Sequence, residues 1–435
     1  MKKIVLIVTA LTLTTAIKAQ NSFTLAQAMR YAVENNSDVK IQEEANASTQ
    51  QEKIQATASL FPSLSASSSL YNSYGRSIDP ETNTYTTVGN VSNSYSVSSY
   101  LTVFSGLTKI NALRSAKLKS QMGDHSLQQA KDAAALSVMQ LFFDALYYGQ
   151  SVTIVEQQKE AAERVLTLSR KQEELGIKSA ADVALSLSQV ASYDLILTQQ
   201  SGLYSQALLS LKEAMNFPFE QDITLIAEST PQEIPSTESF DIEANPEYQI
   251  AQRQLKISQM NLKIARGNYL PTLTFGAGYN NYYYASLADG YIPTPFADQI
   301  KTNYGYYVGA SLSIPIFSSL SYRTSVARSR HSLRTAELQL HKTELQVSKA
   351  AHEALLSRDN SHKEQISAKA KKEACEAAHG AMLRKFEQGV ASIIELQTTA
   401  NELLQASAED LRARLNYQIK SQMVEYYSGK ELINE

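Results

Sequence analysis

Residues 105–174 and 318–387 contain none of the chain's ten prolines, and each stretch runs for 70 residues in a mixed apolar and polar pattern. A single helix of that length extends roughly 100 Å. Ordinary globular domains do not house such helices, so the fold is elongated and its helices find partners along their length. Within the first stretch, Leu141, Ala145, Tyr148, Val152 and Val155 are spaced 4, 3, 4 and 3. Nearer the C-terminus, Ile394, Gln397, Asn401, Leu404, Ala408, Leu411 and Leu415 alternate 3 and 4. These are coiled-coil seams whose small and polar members suit tight, hydrated packing.

Both long stretches end in the same interruption. ELGIKSAADV (174–183) and FEQGVASIIEL (386–396) each place a glycine at the end of the helical pattern and a carboxylate six residues later. Gly176 leads to Asp182, and Gly389 leads to Glu395. Each glycine marks a reversal between antiparallel helices, where a left-handed residue ends the first. The interruption belongs to a larger duplication. Residues 36–62 match residues 245–271 at an offset of 209, while VFSGL (103–107) matches IFSSL (316–320) at 213, as do the two glycines. One net insertion of four residues separates the offsets. The chain therefore reads as residues 20–216 and 245–435, joined by a connector over 217–244.

Each half opens on a helix, 24–60 or 246–268, stopped before Pro62 or Pro271. A β-hairpin follows, over 63–104 and 271–316. Tyr95, Val97, Ser99, Leu101 and Val103 alternate onto one face; so do Leu273, Phe275, Ala277 and Tyr279, and Tyr306, Val308, Ala310, Leu312 and Ile314. LSASSSLYNSY carries the weakest pattern of the four strands. Long turn-rich loops join each pair. Thirteen of the 24 tyrosines fall in the two hairpins. Strand propensity accounts for part of that enrichment, and an aromatic girdle for the rest.

Met1-Lys2-Lys3 followed by IVLIVTALTLTTAI predicts a secretory signal peptide over 1–19, cut between Ala19 and Gln20. No cysteine follows the cut to carry a lipid, and no later apolar run reaches the roughly 20 residues of a spanning helix. Four amphipathic strands cannot close on themselves, and isolated hairpins with an apolar outer face are unstable in water. Pooling strands from several copies into a transmembrane barrel resolves both problems. Three copies give twelve strands, and two give eight.

Other chemistry is thinly represented. A net charge of −3 offers no basic field for nucleic acid. Lys369, Lys371 and Lys372 sit among glutamates and read as a solvated helix face. His331, His341, His352 and His362 recur every 10–11 residues, so neighbours lie about 15 Å apart, too far to share a metal. Cys375 is alone and reads as small-residue packing. No metal, cofactor or catalytic motif occurs, and an enzyme is not expected.

The ordered, duplicated set carries a family resemblance. FTLAQAMRYAVENN and ANPEYQIAQRQLKISQMNLKIARGNYLPTL open the halves; LTVFSGL and LSIPIFSSL form the strand-to-helix junctions; the two glycine tips complete it. Across essentially the whole mature chain it resembles the TolC-type outer membrane factors, exit ducts of efflux pumps and type I secretion systems. The resemblance implies a mixed α and β membrane protein: a homotrimer with a 12-stranded outer-membrane barrel, four strands per chain, continuous with a periplasmic α-helical coiled-coil barrel. It implies helical tips that close the entrance and meet a periplasmic adaptor (membrane fusion) protein and an inner membrane pump, with outer membrane lipid around the barrel.

This chain departs from the family at the junctions and at the entrance. The first junction lacks the usual proline, having Val103 without one before it where Pro315 precedes Ile316 in the second, and the glycine pair is reduced to Ser105-Gly106 and Ser318-Ser319. Of the family's gate positions, the first acid is Glu395, the second falls on Thr398, the arginine position is Ala391 and the tyrosine position is Phe386. The expected gate is therefore Glu395, Thr398 and Phe386, closed by packing more than by ion pairs, with Gly176, Asp182 and Gly389 at the adaptor-contacting tips. A ring of three Glu395 carboxylates favours cations and raises the apparent pKa of the set. Spacing alone fits Glu395 equally to a first-turn acid facing its helix dipole, and for Asp182 that reading is preferred. The rival architecture is a trimeric, barrel-anchored coiled-coil adhesive or structural stalk, which has no need of two reversing hairpins.

Overall fold

The computed structural model describes residues 21–79, 83–227 and 240–430. The expected signal peptide and twelve residues of the connector, 228–239, lie outside them. Strand β1 (Asn21–Phe23) leads into α1 (Leu25–Asn35) and α2 (Ser37–Ala58). Then come β2 (Ser63–Ser73), β3 (Ser77–Asp79), β4 (Thr84–Thr86) and β5 (Asn90–Ser105), followed by α3 (Thr108–Glu174) and α4 (Ala180–Met215). Strand β6 (Ile223–Leu225) lies in the connector. The second half holds α5 (Pro246–Gly267), β7 (Thr272–Ser286), α6 (Phe296–Thr302), β8 (Gly305–Ser313), α7 (Ser321–Glu387) and α8 (Ile393–Tyr427). Helices α2 and α5 both have 22 residues and begin 209 apart, at 37 and 246. Helices α3 and α7 both have 67 and begin 213 apart, at 108 and 321.

The chain packs as two compact units, each drawing on both sequence halves: residues 1–44, 126–248 and 344–435 form one, 45–125 and 249–343 the other. In the first unit, the apolar core gathers Ala28, Met29 and Ala32 of α1 against Val138, Met139 and Phe142 of α3, Leu211 and Met215 of α4, and Leu411, Leu415 and Ile419 of α8. Phe23, Tyr31 and Phe217 meet edge to face, with centroids 5.6 to 5.8 Å apart. They lock β1 and its parallel partner β6 onto this core.

The helix expected over 24–60 is in fact two. Asn36 turns out of the helical region, with φ −59° and ψ 135°. Its Oδ1 accepts from the N–H groups of Asp38 and Val39 at 2.8 and 3.4 Å, capping α2. Its Nδ2 donates to Ala214 O at 3.0 Å, so the break is held by the end of α4.

In the second unit, β2, β5, β7 and β8 form one antiparallel sheet in the order β2-β5-β7-β8. The register places Leu64, Val97, Ala277 and Val308 on one face, with Leu273, Phe275, Tyr279, Tyr306 and Leu312. Many of these apolar side chains are exposed. The opposite face is built of Ser65, Ser67, Ser96, Ser98, Tyr100, Gly276, Gly278, Tyr307 and their neighbours. There the Ser65–Ser98 and Ser67–Ser96 hydroxyls pair at 3.1 and 2.8 Å, and the Tyr100 and Tyr307 hydroxyls meet at 3.0 Å. None of the four strands contains a charged residue. Val103 leaves the alternation expected for it: Thr102 faces Thr274 while Phe104 faces Leu273, so Val103 is a bulged, unpaired residue. Ile314 falls just beyond β8.

The second loop, expected to be irregular, contains α6. Pairing of β7 with β8 ends at Asn280–Gly305, and β7 continues to Ser286. There the Gln299 side chain accepts from Tyr284 N at 2.9 Å and donates to Tyr284 O at 2.8 Å, standing in for the missing strand.

Both strand-to-helix junctions turn through two consecutive left-handed residues, Gly106 and Leu107 (φ 61° and 64°) and Ser319 and Leu320 (φ 48° and 63°). Only the first needs glycine for space, because a Cβ on Gly106 would overlap Gly267 O. Gly106→Ser is expected to destabilise the protein by about 2 kcal/mol or more, through overlap added to left-handed strain. Ser319→Gly is expected to stay within about 1 kcal/mol, since relief of strain is offset by unfolded-state entropy. Unfolding of the two variants in detergent checks this; equal losses would mean the junctions are not distinguished by the Gly267 contact.

Candidate functional site

The tips are built by two copies of one local device. At the end of α3, Gly176 adopts φ 71°; its N–H donates to Glu173 O and that of Ile177 to Gln172 O, both at 2.8 Å. Ser179 then caps α4, its hydroxyl receiving the Asp182 N–H while the Asp182 carboxylate accepts from Ser179 N and Oγ. At the end of α7, Gly389 adopts φ 75° and the same pattern of bonds runs to Phe386 O and Lys385 O. Ser392 caps α8, and Glu395 Oε2 accepts from Ser392 N and Oγ at 2.8 Å each. These are capping boxes with Asp and Glu at the third position. The Ser392 N–H, and then its hydroxyl, hold the Glu395 carboxyl below its usual range; Ser179 does the same to Asp182. Sequence spacing left Glu395 between a first-turn acid and a pore-lining one. Within one chain it is a first-turn acid, exposed and tied to its own cap.

Phe386, grouped from sequence with the gate lining, is instead fully buried. It forms the tip core with Ala391, Ile393 and Leu396, flanked by Val165 and Leu168 of α3 and Met382 and Leu383 of α7. Thr398 is exposed, and its hydroxyl returns to Ile394 O at 2.9 Å. The seam expected on α8 is displaced by one residue at this end: Ile393 and Leu396 are buried and Ile394 is 63% exposed.

What joins the two tips was not singled out in the sequence. Lys178 Nζ donates to Ala391 O at 3.0 Å and lies 5.0 Å from the centre of the Phe386 ring. Further along, Gln397 Nε2 donates to Leu185 O at 2.9 Å and Gln189 Nε2 to Asn401 Oδ1 at 3.1 Å. Partners in all three contacts are separated by 212 or 213 residues, the repeat offset, so equivalent parts of the halves touch. That signal was available: Gln397 and Asn401 stand on a heptad track, and Lys178 stands two residues past a duplicated glycine. Each hairpin is also braced internally, by Lys159–Asp194 at 2.6 Å in the first and by Lys371–Glu409 and Lys372–Asp410 at 2.6 and 3.4 Å in the second. The lysine cluster expected to be merely solvated thus pairs with α8.

The model of the outer membrane efflux protein family matches residues 242–430, from the end of the connector through α8. Solved structures match nearly the whole chain. CusC superposes with a TM-score of 0.81 at 12% identity, covering 94% of this chain and 92% of that one. VceC of Vibrio cholerae gives 0.79 at 12%, covering 94% and 96%, and the CmeC outer membrane channel of Campylobacter jejuni gives 0.79 at 14%, covering 93% and 85%. Residues 242–430 thus match the outer membrane efflux protein family, and the fold of nearly the whole chain is that of these outer membrane channels. No curated protein sequence matches the chain. No described helix is long and apolar enough to cross a membrane.

The sign of the tip carboxylates' pH dependence follows from their depressed pKa values. A carboxyl held low in the folded state stabilises it above the unfolded pKa, and that contribution is lost as pH falls through the folded value. Acidification below about pH 4 is therefore expected to speed amide exchange in the first turns of α4 and α8. Ser179→Ala and Ser392→Ala should speed it already at neutral pH, each at its own tip. Exchange that is indifferent to both changes would show that the capping boxes do not hold the tips.

Proposed function

We propose that this protein is the passive exit duct of a tripartite efflux or type I secretion system, working as a homotrimer and opened at its periplasmic tips. The observation that carries the reading is the four-stranded sheet of the second unit. Its exposed face is apolar, its other face is hydroxyl-lined, and its edge strands β2 and β8 have no outer partner among the described residues. Hydrocarbon does not tolerate open sheet edges, so β8 of one copy pairs with β2 of the next. Three copies close a 12-stranded barrel with the serine and tyrosine face inside. The equal helix lengths at constant offset support a duplicated unit, giving each chain two helical hairpins for the periplasmic tunnel.

The tips are the gate. With three copies, the exposed Glu395 and Thr398 of α8 line its rim, and Phe386 braces it from behind through packing. Lys178 fastens the first hairpin to the second, a role that two ion-paired aspartates do not fill here. Gly176, Asp182 and Gly389 present the outermost turns to a periplasmic adaptor, and the inner membrane pump supplies the energy. Reversal of each chain at both glycines favours this duct over an adhesive stalk.

Planar-bilayer recording on the detergent-extracted protein tests the reading. Discrete, cation-preferring steps of low conductance are expected. Glu395→Ala should raise conductance or weaken cation preference, and Lys178→Ala should raise conductance by loosening the tips. Absence of steps from a folded, membrane-extracted oligomer would favour an anchored stalk without a pore. Steps unchanged by either substitution would remove both residues from the gate.

A further inference from the structure

Behind the tip core lies a half-open cavity of about 160 Å³ lined by all four helices of the two hairpins. Val165 and Leu168 of α3, Tyr193 of α4, Leu383 of α7 and Leu396 of α8 give it an apolar wall. Its exposed rim carries Arg164 and Glu387, while the interior holds no charged group apart from the His379 ring. Burial holds that imidazole below its usual pKa, and its Nδ1 sits 3.2 Å from Thr399 Oγ1.

Tyr193 makes this more than a packing gap. Its side chain is 1% exposed, among the most deeply buried of the described residues, yet its hydroxyl finds no partner at good hydrogen-bond geometry. Gln189 interacts with the phenol oxygen and offsets part of the rise in pKa that burial imposes. Its amide N–H is directed to Asn401. A buried donor without an acceptor is costly to maintain, and a ligand that supplies the acceptor recovers that cost. The size is informative too. An apolar cavity of about 150 Å³ engineered in another protein stays dry and takes up benzene. One six-membered ring fits here, and the wall disfavours a charged one.

We propose that this cavity is a binding site for a small, uncharged, single-ring amphiphile of phenol size. The ring fills the space between the hairpins, and the ligand's oxygen accepts from the Tyr193 hydroxyl. Because the wall is shared among α3, α4, α7 and α8, an occupant adds contacts between the hairpins beside the Lys178 and Gln189 bonds. Occupancy thereby favours closed tips; this second part rests on the gating proposed above, whereas the binding itself does not.

Saturation-transfer NMR on the purified full-length protein in detergent, with phenol and toluene as probes, tests the binding. Phenol should saturate the wild-type protein, and toluene, of the same size but without an acceptor, should bind about tenfold more weakly. Tyr193→Phe should bring phenol down to the level of toluene. Ala400→Leu and Ala161→Leu fill the cavity from α8 and α3, and either one that retains wild-type helix content should abolish the signal. Partition into the micelle is common to all variants and cancels. Equal phenol signals in wild type and in a folded filled variant would overturn the site. Equal affinity for phenol and toluene would overturn the role of Tyr193. In bilayers, phenol should lower wild-type conductance at least twofold relative to the filled variant. Intact binding with unchanged conductance would overturn the coupling to closure. A protein that binds phenol but conducts no current in any condition would instead count against the duct reading, leaving the site in place.

Discussion

A backbone in hydrocarbon has no water to turn to, so every N–H and C=O must find a partner within protein. That constraint governs the whole chain. Four strands in the order β2-β5-β7-β8 satisfy the interior of the sheet and leave its two edges without a strand partner among the described residues. Gln299 shows how strictly the rule is met even at the sheet's margin, where one side-chain amide imitates a neighbouring strand for Tyr284. The proposed pooling of strands from several copies rests on these two edges.

Much of this was legible in the sequence because it rests on period and punctuation. Proline-free runs and paired glycines located the hairpins, and period-two alternation placed Val97, Phe275, Tyr279 and Val308 on a common face, where the register puts them. The failures have local causes. Asn36 lies in a run that scores as continuous helix, and only its side-chain bonds to α2 and α4 reveal the break. Val103 is apolar and in phase, but a bulge removes it from the ladder, which alternation cannot report. The pairing of β1 with β6 joins segments some 200 residues apart through three bonds' worth of strand, too short to carry a pattern.

The candidate site was less legible than the fold. Spacing identified the glycines and carboxylates, since these are set by local turn chemistry. It did not identify Lys178, whose partner is a backbone carbonyl, because a carbonyl has no letter in the sequence. Nor could it tell that Phe386 points inward, since a single aromatic at a helix end reads alike on either side. Recognition between hairpins here runs through one ammonium and two side-chain amides, set at matching positions of the two halves.

The absence of charge from all four strands also bears on how the protein reaches its place. Moving an ionised side chain through the bilayer centre is costly, and here no strand brings one. In the duct reading, the ionised groups to be carried across sit between the strands: Arg76 and Asp79 between β2 and β5, and Asp289, Asp298 and Lys301 between β7 and β8. The electrostatic barrier to insertion is thereby concentrated in two short segments. Once these have crossed, the strands themselves meet no such obstacle.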